Sequence, residues 1–237
     1  GERTGTAARR WRQAGADVAT NDLAETEDDS IPHARVPARV VRDLGFDFIF
    51  GCPPCDYLNN ASVARLHIEQ GRFEALEEAA ATFKEWYQAA APLVVMENSV
   101  MNPYASRLLG MRPTEVVKPF DHGHRESKSI CLFKVGYLPP LRPTFRVEGR
   151  DKRLANMVPG RQRGASRGRS FDGVMAAMAM QWMGQVLNEA SKREGKDTRT
   201  VEQLLESAPG LYPGVSLTYH SPRHGGCLLY TSDAADE

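Results

Sequence analysis

The sequence predicts an α/β protein in which a mostly parallel sheet is doubly wound, with helices on both faces. Two apolar runs, 46–50 and 93–96, have the length and composition of buried strands. Between them, residues 73–91 place apolar side chains at the spacing of one helix face. Strand-like and helix-like segments alternate in this way along most of the chain, which is typical of parallel sheets with helical crossovers.

The N-terminal part of the chain predicts a turn, a helix and a strand. A Gly/Thr-rich turn at 1–6 precedes a helix at 7–14, which Gly15 stops. A nucleotide-binding sheet places a strand before such a turn, so we expect the first strand of the sheet to be missing. The next predicted elements are a short strand at 17–20, an acidic loop at 24–34 and a short helix at 36–44.

The middle of the chain carries the clearest elements. We expect the connection after the first apolar run to be mobile, with some helix, and Pro92 to end the long helix. The predicted elements are a strand at 46–50, a connection at 56–72, a helix at 73–91, strands at 93–96 and 129–135, and a helix at 171–190.

The composition is ordinary for a globular protein and excludes few functions. Hydrophobic residues make up 41% of the 237 residues and charged residues 25%. Thirty Lys and Arg balance thirty Asp and Glu, so only the distribution of charge can indicate a partner. The sequence has no apolar run of about 18 residues, and we expect no membrane span. Four cysteines in a chain of this length do not suggest a disulfide framework, which favours a reducing cytoplasm.

Cys55 is a candidate nucleophile. It follows an apolar run and two prolines, which stiffen the loop and fix the direction of the thiol. A thiolate at a strand end can attack an electron-poor carbon such as C6 of a pyrimidine. Three alternatives remain open. Cys52 and Cys55 have the spacing of a redox Cys-x-x-Cys pair, or Cys55 belongs to half of a zinc site or is structural.

Glu97 is a candidate acid. It directly follows the apolar run 93–96, so we expect it at the same sheet edge as Cys55. A carboxylic acid there can protonate or hydrogen-bond a ring nitrogen, which makes the ring easier for a thiolate to attack. The alternative is a surface carboxylate in a loop.

Two further features indicate binding to a cofactor and to a nucleic acid. The Thr4-Gly5-Thr6 turn precedes a helix, and Asp22 ends the next predicted strand, where an acid can hold ribose hydroxyls. The segment 137–170 holds nine Lys and Arg against two acids, a balance that suits a phosphate backbone. The alternatives are an ordinary turn with a capping acid and a solvated basic linker. His122 and His124 lack further ligands and favour a structural role over a metal site.

Residues 1–185 together resemble the DNA (cytosine-5)-methyltransferase family, especially its short, divergent bacteriophage members. Thr4-Gly5-Thr6 resembles the S-adenosylmethionine loop, Asp47 through Cys55 the Pro-Pro-Cys motif, and Glu97-Asn98-Ser99 the Glu-Asn-Val motif. Residues 123–136 resemble the Gln-x-Arg-x-Arg motif and its following strand, with Glu126 in place of Gln and Lys128 in place of the first Arg. Residues 170–178 occupy the place of the last motif.

The resemblance implies methyl transfer from S-adenosylmethionine to C5 of cytosine in DNA. The implied catalytic residues are Cys55, Glu97, which engages N3 of the cytosine, and Lys128. The implied cofactor contacts are Thr4, Gly5, Thr6, Asp22, Leu23 and Pro53. The implied DNA contacts are Asn59, Asn60, Arg161, Arg163, Arg167 and Arg169.

The expected organisation is a catalytic and cofactor-binding core at 1–136, a short DNA-contact segment at 137–170 and a returning helix at 171–194. Residues 195–237 stay unplaced, and the last of them resemble translated sequencing-adapter sequence. We expect a monomer in the cytoplasm, which is the cytoplasm of the host cell if a bacteriophage encodes the protein. Two other functions remain open: a non-catalytic DNA-binding decoy against restriction that keeps the fold, and an enzyme acting on free pyrimidine nucleotides.

Overall fold

A mostly parallel sheet of seven strands forms the centre of the computed structural model. The structure describes residues 4–154, 156–158, 169–192, 200 and 203, and the backbone of 226–231. Its strands are β1 (Asp17–Asn21), β2 (His33–Ala34), β3 (Phe48–Cys52), β4 (Leu93–Ser99), β5 (Glu115–Val117), β6 (Ile130–Val135) and β7 (Gly226–Thr231). The described α-helices are α1 (Thr6–Gln13), α2 (Arg72–Tyr87), α3 (Pro103–Leu109) and α4 (Asp172–Ser191).

The strands lie in the order β2-β1-β7-β3-β4-β6-β5. The pairs β1–β2, β1–β7, β3–β7 and β3–β4 are parallel, whereas β6 runs antiparallel to both β4 and β5. The prediction of a mixed α/β protein with a mostly parallel sheet is therefore confirmed.

Helices pack on both faces of the sheet. Because side chains alternate along a strand, β4 divides its apolar residues between the two faces. Val94 and Met96 belong to one buried cluster, with residues of α2 and α3. Leu93 and Val95 belong to a second cluster, with residues of α1 and α4. The near-continuous apolar character of the central strands thus follows from burial on both sides.

The position expected for the missing first strand is filled by β7. It lies between β1 and β3, with Val18 paired to Cys227 and Ile49 paired to Leu228. Residues 226–231, which lie in the segment that the sequence left unplaced, thus form a central strand of the sheet. Local patterning could not predict the strand, because its pairing partners lie more than 170 residues away in the sequence.

Several predicted boundaries were wrong. The segment 36–44 forms turns around a single 3-10 turn, Ala38–Val40, instead of a short α-helix. The long helix ends at Tyr87, because residues 88–91 make turns that lead into β4. The strand β4 continues to Ser99, since Asn98 and Ser99 still pair with β6. Glu97 therefore lies inside a strand and not after its end.

None of the described helices has the length and apolar character needed to cross a bilayer.

Candidate active site and nucleic-acid interface

The β3–β4 register brings the Cys55 loop and Glu97 to the same edge of the sheet. Gly51 pairs with Met96 in this parallel ladder, so the next residues along, Cys52 and Glu97, lie at the same level. Pro53 is buried after the end of β3, and Cys55 carries a partly buried thiol. The expectation that the two segments belong to neighbouring parallel strands therefore agrees with the register, whereas Glu97 lies within β4 and not at its end.

The backbone after Cys55 folds into a tight turn around the Cys55 carbonyl. That oxygen accepts hydrogen bonds from the N–H groups of Leu58 (3.1 Å) and Asn59 (2.9 Å) and from Nδ2 of Asn59 (2.7 Å). The Oδ1 atom of Asn59 accepts from the N–H of Ser62 at 2.9 Å and caps the 3-10 helix Asn60–His67. Asn59 is buried and structural here, while Asn60 is exposed.

A second set of bonds joins this loop to the chain that follows β4. The N–H of Asn102 donates to Leu58 O at 2.8 Å, and its Nδ2 donates to Tyr57 O at 2.9 Å. In the other direction, the N–H of Asn60 donates to Val100 O at 2.8 Å. The connection that we expected to be mobile is thus hydrogen-bonded to the continuation of the strand that carries Glu97.

Arg72, at the start of α2, contacts two residues of the same loop, Asp56 and Tyr57. Its Nη2 donates to Asp56 Oδ2 at 2.7 Å, and its guanidinium lies 4.7 Å from the centre of the Tyr57 ring. Only 5% of the Arg72 side chain is exposed. No local pattern in the sequence indicates this role of Arg72, because its partners become neighbours only after folding.

Glu97 and Lys128 are both partly buried. Glu97 pairs across the ladder with Leu132 of β6, next to the pair formed by Asn98 and Cys131. Burial raises the pKa of the Cys131 thiol, and the nearby charge of Glu97 raises it further. This second thiol is therefore held protonated, unlike a nucleophile. Lys128 lies two residues before β6.

The predicted cofactor turn caps α1. Gly5 has a left-handed conformation with φ of +65°, which suits glycine, and the Thr4 and Thr6 hydroxyls lie 3.0 Å apart. One side of the turn is covered, because a Cβ atom built on Gly5 would lie 2.7 Å from Oδ2 of Asp28. Asp28 is held there by Arg9, whose Nη1 donates to the same oxygen at 2.7 Å.

Asp22 follows β1 directly and is buried, with its Oδ1 accepting from the N–H of Ala24 at 2.9 Å. Leu23 beside it is 49% exposed. A carboxylate next to an exposed apolar side chain fits a nucleoside-like group, since it can hold hydroxyls while the apolar surface covers a ring. Asp22 and Leu23 can therefore contact a nucleoside-like group, whereas Asp28 covers one side of Gly5 in the turn.

A cavity of about 650 Å³ lies where the cofactor turn, the 123–126 segment and the start of α4 meet. Its lining includes Thr6, His124, Glu126, Arg153, Arg169 and Asp172. Of the predicted site residues, this cavity brings together Thr6 and Arg169. Cys55, Glu97 and Asp22 do not line it.

The start of α4 is tied to α1 and to the 122–124 turn. Arg10 donates to Asp172 twice, from Nε at 2.8 Å and from Nη2 at 2.5 Å. The N–H of Gly173 donates to Nε2 of His124 at 2.9 Å. Burial lowers the pKa of His124, so this ring is held neutral as an acceptor. Within the described residues no three His, Cys, Asp or Glu side chains group as metal ligands.

The described part of the basic segment lies along residues 120–127. Parallel bridges join His122 to Phe145 and Glu126 to Asp151. Glu126 is buried and accepts from the N–H of Leu154 at 3.1 Å. The segment presents five exposed cations: Arg142, Arg146, Arg150, Lys152 and Arg153. Backbone hydrogen bonds and bridges therefore join the segment to residues 120–127 of the core, so residues 141–154 are not an unattached linker.

Arg169 is exposed, with Nη2 3.6 Å from Oε2 of Glu27. Arg161, Arg163 and Arg167 lie outside the described residues.

Comparison with known proteins adds no assignment, because no family model matches the chain and no curated protein matches it either.

Proposed function

We propose that this chain transfers a methyl group from S-adenosylmethionine to C5 of cytosine in DNA. The observation that carries this proposal is the β3–β4 register, which brings the Pro-Pro-Cys loop and Glu97 to one sheet edge. The hydrogen bonds between 57–60 and 100–102 support it, since they hold these two segments in a fixed relation. The same edge carries Asp22 and the N-terminus of α1, which fit a nucleoside-like cofactor.

The proposed chemistry starts with a cytosine that has left the helix stack. The Cys55 thiolate forms a bond to C6 while Glu97 holds a proton at N3, so the ring electron pair becomes available at C5. S-adenosylmethionine supplies the methyl group that C5 accepts. S-adenosylhomocysteine is the leaving group of that transfer. Solvent water then takes the C5 proton, the electrons of the C5–H bond re-form the C5–C6 double bond as the C6–sulfur bond breaks, and N3 returns its proton to Glu97, which leaves the aromatic ring and the free thiolate.

Other residues bind and orient the two substrates in this proposal. Thr4, Gly5, Thr6, Asp22, Leu23 and Pro53 hold the cofactor. Lys128 and Asn60 contact the DNA near the target base, and the exposed cations of the basic segment bind phosphates. Asn59 has a different role, because its amide is used within the loop that carries Cys55.

The test is transfer of tritiated methyl groups from S-adenosylmethionine to duplex DNA by the full chain. We expect Cys55→Ser to abolish transfer and Cys52→Ser to retain most of it, because Cys52 lies within β3. The two variants remove the same atom three residues apart, so they form a matched pair. Equal transfer by wild type and Cys55→Ser would remove Cys55 from the mechanism.

One observation favours a second candidate, a non-catalytic DNA-binding decoy that keeps the fold. The Arg9–Asp28 pair covers one side of Gly5 in the turn proposed to hold the cofactor. Such a protein would bind DNA with strong salt dependence and would not bind S-adenosylmethionine. Calorimetric titration with S-adenosylmethionine separates the two candidates: heat of binding supports the enzyme, and its absence with retained DNA binding supports the decoy.

A further inference from the structure

Phe145 is an exposed aromatic residue in the middle of the basic segment. Its side chain is 68% exposed, although a phenylalanine in a folded chain normally gains free energy from burial. The ring lies beside Gly123, where a built Cβ atom would be 3.7 Å from its Cδ1. Gly123 is also one of the residues that line the cavity described above, and Phe145 is not.

The backbone that carries Phe145 is hydrogen-bonded to residues 120–121. The N–H groups of Thr144 and Phe145 both donate to Asp121 O, at 3.1 and 3.2 Å. Val147 continues the contact by donating to Phe120 O at 2.9 Å. A ligand that contacts this ring meets a chain that is already ordered, which lowers the entropy lost on binding.

Arginines precede and follow Phe145 closely in the sequence. Arg142, Arg146 and Arg150 are exposed at intervals of four residues around it. Two of them are oriented by contacts with the core: Arg146 Nε donates to Asp121 Oδ1 at 2.7 Å, and the Arg150 guanidinium lies 4.0 Å from the centre of the Phe120 ring. Residues 141–154 hold five cations against two carboxylates, so the surface around Phe145 favours a polyanion.

We propose that Phe145 stacks on an unpaired base of DNA while its neighbouring arginines bind the flanking phosphates. Aromatic stacking with adjacent positive charge is how proteins bind unstacked bases, because every base offers an aromatic face. This inference rests on the proposed function for its DNA partner, and it adds a base-binding site outside the residues assigned to chemistry. Unpaired bases arise whenever a nucleotide leaves the stack.

The experiment measures binding of the full chain to two DNA duplexes by fluorescence anisotropy at one fixed salt concentration. One duplex is fully paired, and the other has the same sequence with one unpaired, bulged base. We expect Phe145→Ala to weaken binding to the bulged duplex roughly 10- to 100-fold and to leave binding to the paired duplex nearly unchanged. Phe145→Trp retains the preference, and Phe145→Leu loses it although the side chain stays apolar.

Tyr137→Ala is the matched control, because Tyr137 is a similarly exposed aromatic residue (77%) without flanking arginines. It should leave both affinities unchanged. Equal losses on the two duplexes, or none, for Phe145→Ala would overturn the stacking proposal alone. Failure of the wild-type chain to bind either duplex would overturn both this proposal and the DNA partner of the proposed function. Thermal unfolding of each variant shows whether the fold is intact.

Discussion

Arg72 and Asp56 form an ion pair, 2.7 Å between Nη2 and Oδ2, in which the guanidinium is buried and the carboxylate is partly exposed. Through this pair the first residue of α2 holds the residue that follows Cys55. Arg72 is therefore a positioning residue: it contacts Asp56 and orients the loop that carries the Cys55 thiol.

Removing this arginine should loosen the loop. We expect Arg72→Met to lower the free energy of unfolding by about 1–3 kcal/mol, because a charged hydrogen bond at a buried site is lost. We also expect methyl transfer to fall and proteolysis within 56–67 to quicken. Arg65→Met is the control: Arg65 also contacts Asp56, at 3.7 Å, but its half-exposed side chain is screened by water. An equal effect of both substitutions would contradict the anchoring role.

Two glycines of α4 should respond in opposite ways to the same substitution. A Cβ atom on Gly173 would overlap the His122 carbonyl, so we expect Gly173→Ala to destabilise the fold by about 2 kcal/mol or more. A Cβ atom on Gly184 meets nothing within 4 Å, and Gly184→Ala should stabilise the helix by up to about 1 kcal/mol. Urea denaturation of the two variants measures both effects, and a harmless Gly173→Ala would show that the α4 contact with the 122–124 turn is loose.

Asn98 and Asn102 make a second matched pair. Within the described residues, the side-chain oxygen and nitrogen of Asn98 are both buried without a hydrogen-bond partner. In Asn102, by contrast, Nδ2 donates to Tyr57 O and Oδ1 accepts from the N–H of Ala105. We expect Asn98→Leu to stabilise the protein by about 1–2 kcal/mol and Asn102→Leu to destabilise it by a similar amount or more. Chemical denaturation tests this. A loss of stability in Asn98→Leu would show that its amide has a partner in solution.

Stability should fall in mild acid. Burial lowers the pKa values of His33, His122 and His124, so the unfolded chain binds protons more tightly than the folded one. The neutral rings favour the fold above the ordinary histidine pKa of about 6.5, and this stability is lost progressively as the pH falls below that value. Urea midpoints at pH 8 and pH 5 measure the loss. His124→Gln keeps an acceptor for the Gly173 N–H, and this variant should lose less stability than the wild type between pH 8 and pH 5. The same loss of stability in both proteins would contradict the role of His124.

The sequence predicted the long elements and the edge that carries the candidate site, and it missed what depends on distant partners. The apolar residues are numerous enough to show the spacing of a helix or strand in four elements, namely α2, β3, β4 and α4. The two-residue strand β2 and the short helix α3 have too few. The anchoring by Arg72 and the bonds of Asn102 join residues far apart in the sequence, so no local pattern indicates them. The same holds for Phe145, which a bridge joins to the distant His122.

The Arg10–Asp172 pair connects two regions with different proposed ligands. Arg10 lies in the helix that follows the proposed cofactor turn, and Asp172 begins the helix that follows the basic segment. A ligand that orders the Arg10–Asp172 contact by binding on one side lowers the entropy that a second ligand loses when it binds on the other side. Thermodynamic linkage requires any such coupling to be reciprocal, so DNA would strengthen cofactor binding by the same factor by which cofactor strengthens DNA binding.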